Sequence, residues 1–274
     1  MTDTSAIELE GNKNPIKILQ FSDLHLLARP SDTLIGINTD ASFRSIVHAA
    51  RQSIWPPDLI LLTGDLAQDA EIATYERLWH HLDALELACY CLPGNHDKPI
   101  MHQVLNSNKI ACTTRIDTGN WQIICLDSTI QNAEGGFLSE SALQNLKSYL
   151  DQFPSKNALI ALHHHPIPID CAWLDTMVLK NSDELFSLLC NYPRVKAIIC
   201  GHIHQEIDYM HQNIRLLGTP STCFQFKPHT TEFTLDNRSA GFRSLKLYPN
   251  GSIETWVERL PELPEGLDFA CSGY

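Results

Sequence analysis

Hydrophobic residues occur along the chain in short runs, separated by longer segments in which they recur every three or four positions. The short runs are almost continuously apolar, which is typical of strands buried on both faces of a sheet. The segments between them have the period of amphipathic helices. We predict six such strands, at Ile16–Phe21, Asp58–Leu62, Cys89–Leu92, Trp121–Asp127, Ala158–Leu162 and Val195–Cys200.

The periodic segments predict four helices, at Thr39–Gln52, Asp69–Leu85, Ser139–Phe153 and from Ser182 onward. Ser139 is suited to cap the third of them. After Gly201 the pattern changes to strands and turns, and Asn250-Gly251 is a hairpin signal. Strands are predicted there at Arg215–Leu217, Glu232–Leu235, Phe242–Tyr248 and Ser252–Val257. The chain is therefore predicted to be an α/β protein with strand-rich additions near its end.

The two ends of the chain differ from the rest. Residues 1–14 are polar and acidic, and residues 261–274 contain two prolines and two glycines, so we expect a flexible arm and a tail. Residues 15–260 contain no repeat, no low-complexity tract and no long linker. They are predicted to form a single domain.

Composition narrows the class of protein. Of 274 residues, 20 are Lys or Arg and 32 are Asp or Glu, which gives a net charge of −12 and argues against a nucleic-acid partner. No apolar run approaches the length of a membrane-spanning helix, and the N-terminus lacks a secretion signal. The cysteines number nine, without a C-x-x-C pair, which favours a reducing compartment. We expect a cytoplasmic protein with a small-molecule substrate and no membrane partner; its oligomeric state is not predicted.

Five of the predicted strands are followed directly by polar residues that can bind metals. These are Asp23-Leu24-His25, Gly64-Asp65, Gly94-Asn95-His96-Asp97, His163-His164-His165-Pro166 and Gly201-His202-Ile203-His204. At this composition a G-H-x-H motif is expected by chance about 0.03 times and G-N-H-D about 0.002 times. Because ligands of α/β sheets bind at the carboxyl ends of strands, the five segments are expected to meet at one rim.

Carboxylate, amide and imidazole groups together suit manganese, iron or zinc, and the lack of thiolates argues against a closed structural zinc site. We interpret the set as a two-metal site, in which a carboxylate such as Asp65 can bridge the ions. Alternation along a strand places His164 on the opposite side from His163 and His165, so one or two of the three can bind. Asp97 is expected to orient His96 or to cap a turn.

Several other polar and aromatic residues are expected to have roles outside the set of metal ligands. The loop from Phe224 to His229 is either a wall of the substrate pocket or a packed turn. Asp127 is expected to act as a local cap. The same ordinary structural or surface role is expected of His48, His80, His81, His102, His211 and His229.

The ordered series of motifs resembles the calcineurin-like metallophosphoesterase superfamily. Flanking residues 64–69, 92–97 and 219–229 resemble those of the bacterial class III 3′,5′-cyclic-AMP phosphodiesterases, and the likeness extends from about Lys17 to Leu260. The resemblance implies a four-layer αββα sandwich, with two mixed sheets flanked by helices. It also implies two divalent metal ions as cofactors, Fe²⁺ or Mn²⁺.

The resemblance further implies a role for each residue. One ion would be bound by Asp23, His25, Asp65 and His204. The second would be bound by Asp65, Asn95, His164 and His202, where His164 is taken as the first histidine of H-H-P. His96 would be the catalytic histidine beside the scissile phosphate. His25, Asp65, Asn95 and His96 would contact the substrate.

The implied reaction is hydrolysis of 3′,5′-cyclic AMP to 5′-AMP by a hydroxide that bridges two metals, with His96 protonating the leaving 3′-oxygen. Within the superfamily, the alternative is a phosphohydrolase acting on another phosphodiester or on a phosphomonoester. An alternative of a different class is an inactive scaffold that keeps the fold. The intact set of predicted ligands argues against the scaffold.

Overall fold

The computed structural model of the protein describes residues 14–273. In chain order, the strands of this part are β1 Ile16–Phe21, β2 Leu59–Thr63, β3 Cys89–Leu92, β4 Ile110–Ala111, β5 Arg115–Asp117, β6 Trp121–Cys125, β7 Asn157–Ala161, β8 Val195–Cys200, β9 Ile207–His211, β10 Ile214–Gly218, β11 Gly241–Leu247 and β12 Ile253–Arg259. The α-helices are α1 Thr39–Arg51, α2 Ile72–Asp83, α3 Met101–Val104, α4 Glu140–Gln152 and α5 Ser182–Leu189.

The strands form two six-stranded sheets. The first has the order β12-β11-β1-β2-β3-β4 and the second the order β5-β6-β7-β8-β10-β9. Neighbouring strands from β1 to β4 are parallel, and so are neighbours from β6 to β8 and on to β10. The remaining strands pair antiparallel at the edges. Both sheets are therefore mixed, and the parallel strands of each have their carboxyl ends at one edge.

Three apolar layers hold the sheets and helices together. Phe43 and Ile46 of α1 and Leu78 of α2 pack on the outer face of the first sheet. Residues such as Leu61 and Leu159 fill the space between the sheets. Helices α4 and α5 cover the outer face of the second sheet. This four-layer arrangement confirms the predicted αββα fold.

Polar contacts replace the apolar ones between the sheets near the carboxyl ends of the strands. The buried Arg243 of β11 donates to the carbonyl oxygen of Gly218 at 2.7 Å and to that of Ile207 at 3.2 Å. Gln20 of β1 donates to Thr63 and accepts from Thr219 at 2.7 Å. The two sheets are thus joined by hydrogen bonds at the end where the predicted site lies.

Most predicted elements match the structure, but one predicted strand is absent and four short or half-exposed elements were not predicted. Each of the first six predicted strands is present, with ends that shift by up to two residues, and Ser139 caps α4 by accepting from the backbone N–H of Ala142. The strand predicted at Glu232–Leu235 is wrong, because only an isolated bridge joins Phe226 to Leu235. Sequence periodicity did not find β4, β5, β9 or α3, which are short or half-exposed.

The predicted N-terminal arm falls almost entirely outside the described residues. In the predicted tail, Leu267 packs against a buried apolar cluster and the backbone N–H of Asp268 donates to the carbonyl oxygen of Ile35 at 3.1 Å. The boundaries of a single domain at 15–260 stay a prediction. Among the described helices, none has the length and apolar character needed to cross a membrane.

Candidate metal centre

The five predicted segments meet at the carboxyl ends of the central strands. The first sheet delivers Asp23 and His25 after β1, Asp65 after β2, and Asn95 and His96 after β3. The second sheet delivers the histidines that follow β7 and β8. Side-chain nitrogen and oxygen atoms from these loops lie within 4.8 Å of one another in overlapping groups of three. The structure therefore brings potential metal ligands from both sheets together at one edge, as the strand-end pattern predicts.

The backbone is unusual at these positions. Asp23, His25, Asp65, His202 and His204 all have φ between +47° and +68°. These five are among the twelve non-glycine residues with positive φ in the described part of the chain. A side chain disfavours this left-handed region, and such residues cluster at functional sites. The local conformation thus aims each side chain into the centre at an energetic cost.

Two glycines allow the loops to approach one another closely. A Cβ atom at Gly94 would overlap the carboxylate and backbone of Asp65. A Cβ atom at Gly201 would overlap the side chains of Ser22 and Asp23. The glycines preceding Asn95 and His202 are therefore needed for close packing, because any side chain there would overlap a neighbouring loop.

Three imidazoles have the same hydrogen-bonding pattern, with Nδ1 directed at an acceptor. The Nδ1 atom of His25 lies 2.7 Å from Gln68 Oε1, that of His204 lies 2.9 Å from the carbonyl oxygen of Phe224, and that of His163 lies 2.9 Å from the carbonyl oxygen of Thr63. Because each of these partners is an acceptor, Nδ1 carries the proton when the ring is neutral. The Nε2 atom of each ring is then the unprotonated ligand atom.

These Nε2 atoms face other lone pairs. His25 Nε2 lies 3.2 Å from His204 Nε2, and His204 Nε2 lies 3.4 Å from Asp23 Oδ1. His163 Nε2 lies 3.3 Å from Asp65 Oδ2 and 3.2 Å from Asn95 Oδ1. The buried Nε2 of His202 has no hydrogen-bond partner among the described residues. Facing lone pairs repel unless a cation lies between them, so this donor set fits metal ions.

The electrostatics of the centre also fit cation binding. Burial lowers the pKa of His25 to about 3 and that of His202 well below its usual value, so both rings are neutral at neutral pH. Burial would also lower the pKa of His163, but the charge of Asp65 outweighs it and raises this pKa to about 9. A proton is thus held where a cation would otherwise bind, between the His163 imidazole and the Asp65 carboxylate. Metal binding displaces such protons.

The structure does not place His164 at the bridging carboxylate. Its Nδ1 lies 2.8 Å from the Ser128 hydroxyl and its Nε2 lies 3.1 Å from the carbonyl oxygen of Glu134, so both nitrogens are engaged. The Nε2 of His163 lies beside Asp65 and Asn95 instead. The geometry therefore favours His163 over the His164 that the resemblance implied. A nitrogen of His164 lies within 4.8 Å of ligand atoms of His163 and His202, but that group does not include Asp65, and His164 is already hydrogen-bonded.

The residues around Asp65 hold its carboxylate in place. The backbone N–H of His96 donates to Asp65 Oδ1 at 2.9 Å. Asp97 accepts from the backbone N–H groups of Gly94 at 2.9 Å and of Leu66 at 3.1 Å, and from the Tyr75 hydroxyl at 2.9 Å. Asp97 therefore joins two ligand loops, and this matches the capping role expected of it. The His96 ring is half-buried and packs edge-on against His25 at 5.1 Å between centroids.

A cavity of about 670 Å³ opens directly over the centre. Asp65, Asn95, His96 and His202 line its floor. Its wall includes Trp173, Phe226 and Phe233, whose rings contact one another edge to face, with Trp173 to Phe226 at 4.9 Å and Trp173 to Phe233 at 5.3 Å. We refer to these three residues as the aromatic wall.

The aromatic wall answers a question that the sequence left open. Phe226 lines the cavity and also stacks on His204 at 4.1 Å. Phe224 packs against His25 at 5.8 Å and against His204 at 5.0 Å. The loop from Phe224 to His229 is thus partly a pocket wall and partly support for the metal ligands. Trp173 and Phe233 were not identified from the sequence, because no motif marks them and their neighbours in space are far away in the chain.

Comparison with known proteins agrees with this site. The calcineurin-like phosphoesterase domain matches residues 16–206. The chain belongs to the calcineurin-like phosphoesterase family. Among solved structures, it resembles a dimetal phosphatase from Danio rerio, with a TM-score of 0.58 and 13% identity over 90% of this chain and 99% of that one. At this identity the likeness shows the fold alone.

Closer relatives are cyclic-nucleotide phosphodiesterases. The chain is 42% identical to the 3′,5′-cyclic adenosine monophosphate phosphodiesterase CpdA of Vibrio vulnificus, over 96% of this chain and 97% of that protein. It is also 42% identical to CpdA of Escherichia coli strain K12, over 94% and 95% of the two chains. A 3′,5′-cyclic-nucleotide phosphodiesterase of Nostoc is 42% identical over 92% and 95%. The predicted resemblance to the bacterial cyclic-AMP phosphodiesterases is confirmed.

Proposed function

We propose that this protein hydrolyses 3′,5′-cyclic AMP to 5′-AMP at a centre that holds two divalent metal ions. The observation that carries the proposal is the buried set of Nε2 and carboxylate atoms with facing lone pairs, directly beneath a nucleotide-sized cavity. The resemblance to named cyclic-AMP phosphodiesterases along nearly the whole chain supports the choice of substrate.

We propose that Asp23, His25, Asp65 and His204 bind one ion and that Asp65, Asn95, His163 and His202 bind the other. Asp65 would be the shared ligand, because its Oδ2 atom lies 3.8 Å from His25 Nε2 on one side and 3.3 Å from His163 Nε2 on the other. Mixed oxygen and nitrogen donors suit Fe²⁺ and Mn²⁺. When bound, two such ions lower the pKa of a coordinated water and stabilise charge on phosphate oxygens.

His96 is proposed as the catalytic histidine. It lines the cavity, its ring contacts His25, and its backbone N–H holds the Asp65 carboxylate. From this position its imidazole can donate a proton to the 3′-oxygen as the phosphodiester bond breaks. His25, Asp65 and Asn95 are proposed to contact the substrate phosphate, and Asp65 and Asn95 line the floor of the cavity.

The aromatic wall is proposed to bind the nucleobase. Trp173, Phe226 and Phe233 form an apolar surface at the side of the cavity, where a purine can stack away from the charged floor. The indole Nε1 of Trp173 donates to the Thr230 hydroxyl at 3.2 Å, which fixes the plane of the ring. A preorganised ring costs less entropy on binding than a mobile one.

The test is a substrate panel on protein reconstituted with Fe²⁺ or Mn²⁺. The panel contains 3′,5′-cyclic AMP, 2′,3′-cyclic AMP, bis(p-nitrophenyl) phosphate and p-nitrophenyl phosphate, and elemental analysis reports the bound metals. We expect two metals per chain and the highest kcat/KM for 3′,5′-cyclic AMP. Intact 3′,5′-cyclic AMP alongside cleavage of another ester would refute the substrate assignment while leaving the metal centre in place.

We also propose a cytoplasmic location. The odd number of cysteines and their distribution through apolar strands support a reducing compartment. Detection of the protein in the soluble fraction of a cell lysate, with its thiols reduced, is the corresponding measurement.

A further inference from the structure

Two cysteines and a histidine form a cluster outside the metal centre. Strand β3 pairs in parallel with β4, with Cys89 opposite Ile110 and Tyr90 opposite Ala111. Extended by one residue beyond β4, this register places Cys112 beside Cys91. Neighbouring strands are about 4.8 Å apart, which lies within the Cα separation that a disulfide spans.

Both thiols lie on the same face of the sheet. Cys91 is buried in the apolar layer beneath α1 and α2, and the half-buried Cys112 packs against the same layer. The Cys112 Sγ atom lies 3.8 Å from the carbonyl oxygen of Leu105, and the His102 imidazole of α3 is the basic group that influences it. The cluster therefore runs from a buried thiol, through a half-buried thiol, to an exposed imidazole.

This arrangement divides the two thiols into different chemical roles. The neighbouring Cys91 and His102 side chains lower the pKa of Cys112 to about 6. The Cys112 side chain and burial raise the pKa of Cys91. Cys112 is thus a thiolate at neutral pH and is the nucleophile of the pair, whereas Cys91 is a protonated thiol beside it. Burial raises the pKa of Cys89, Cys125, Cys200 and Cys223 to about 12, so these four thiols are unreactive.

We propose that Cys112 and Cys91 form a reversible disulfide site that reacts with hydroperoxides. The Cys112 thiolate attacks one oxygen of hydrogen peroxide and the O–O bond breaks, which gives a sulfenic acid and a hydroxide that takes up a proton as water. Cys91 sulfur then attacks the Cys112 sulfur, the S–O bond breaks, and the departing hydroxide leaves as water with the Cys91 proton. Two thiols and one peroxide thus become one disulfide and two waters.

The two cysteines lie close in the chain to a loop of the metal centre. Cys91 lies in β3, four residues before Asn95, and the disulfide would join β4 to the strand that carries the Asn95–His96 loop. Transient redox-sensing disulfides of this kind are the ones found in reducing compartments. The proposal does not depend on the substrate of the metal centre.

Peptide mapping of the oxidised protein is the main test. The full chain is treated with equimolar hydrogen peroxide, free thiols are blocked, and a non-reducing digest is analysed by mass spectrometry. We expect a peptide joining Cys91 to Cys112 that is lighter than the two free peptides by two hydrogens and is lost on reduction. The exposed Cys190 provides the matched control, because Cys190→Ser should leave this product unchanged.

Two variants separate the steps. In Cys112→Ser, Cys91 should remain a free thiol after peroxide treatment. In Cys91→Ala, Cys112 should accumulate as a sulfenic acid that dimedone traps. In the unmodified protein, the rate of Cys112 alkylation should rise through a midpoint near pH 6, against about 8.5 for free cysteine. An ordinary alkylation midpoint, or peroxide treatment that leaves Cys91 and Cys112 unlinked, would overturn the proposal.

Discussion

The two sheets contribute different chemistry to the same centre. The loops of the first sheet supply the carboxylates of Asp23 and Asp65 and the amide of Asn95, together with His25 and His96. The loops after β7 and β8 supply only imidazoles. The negative charge in the centre therefore comes from the first sheet, and the second sheet adds imidazole nitrogens to the proposed ligand set.

The two sheets also contribute differently to the walls of the cavity. Trp173, in the long connection between β7 and β8, and Phe226 and Phe233, in the connection between β10 and β11, line one side of the cavity. His96, from the first sheet, lines its floor. The first sheet thus carries the proposed bridging carboxylate and the proposed catalytic histidine, while connections around the second sheet form the proposed nucleobase side.

Removing the bridging carboxylate should have the largest effect. Asp65→Ala leaves both ions without a shared ligand, and we expect loss of bound metal and a fall in kcat/KM of about 10³-fold or more. Elemental analysis and turnover of 3′,5′-cyclic AMP measure the two effects. The control is Asp127→Asn, since Asp127 is an exposed carboxylate just beyond β6 that bonds only to Thr129 among the described residues. Two metals per chain in Asp65→Ala would exclude bridging.

The paired variants His163→Ala and His164→Ala test the contribution of the second sheet. We expect His163→Ala to lose one of two metals and most of its activity, because its Nε2 lies beside Asp65 and Asn95. His164→Ala should retain both metals. It should lose about 1–3 kcal/mol of stability, because Ser128 and the carbonyl oxygen of Glu134 lose buried hydrogen-bond partners. The reverse pattern in metal content would restore His164 as the ligand.

The His96→Ala variant tests whether the first sheet also supplies the general acid that protonates the leaving group. His96→Ala should retain two metals and lose about 10²–10³-fold in kcat, the usual range for a general acid. A substrate with a better leaving group, such as bis(p-nitrophenyl) phosphate, should lose less, because departure of its leaving group needs less protonation. Equal losses on both substrates would argue against proton donation by His96.

The smallest expected effect concerns the aromatic wall. Trp173→Ala should raise KM for 3′,5′-cyclic AMP by roughly 5- to 150-fold with little change in kcat, since stacking of a base on an aromatic ring contributes about 1–3 kcal/mol. Trp173→Phe should recover most of the loss. Hydrolysis of bis(p-nitrophenyl) phosphate, which has no nucleobase, provides the reference, and an equal rise in its KM would contradict base stacking on Trp173.

The sequence by itself determined the fold class and most of the centre. Short apolar strands alternating with helices lead to parallel sheets, and parallel strands have their carboxyl ends at one edge. Polar motifs at those ends, such as those around Asp65 and His202, must then converge. The late, strand-rich part was less predictable: residues 232–235 have strand-like composition but form only an isolated bridge.

Only the tertiary structure decided which histidine faces the centre. Alternation along β7 separates His163 from His164, but both faces of this strand are apolar, so the pattern does not say which face is which. In the folded protein, Leu159 and Ala161 face the other sheet, whereas Ala158 and Ile160 face the helices. His163 is on the same side of the strand as Leu159 and Ala161, so it faces the other sheet. The aromatic wall likewise depends on residues far apart in sequence, because packing between layers, rather than local pattern, brings such residues together.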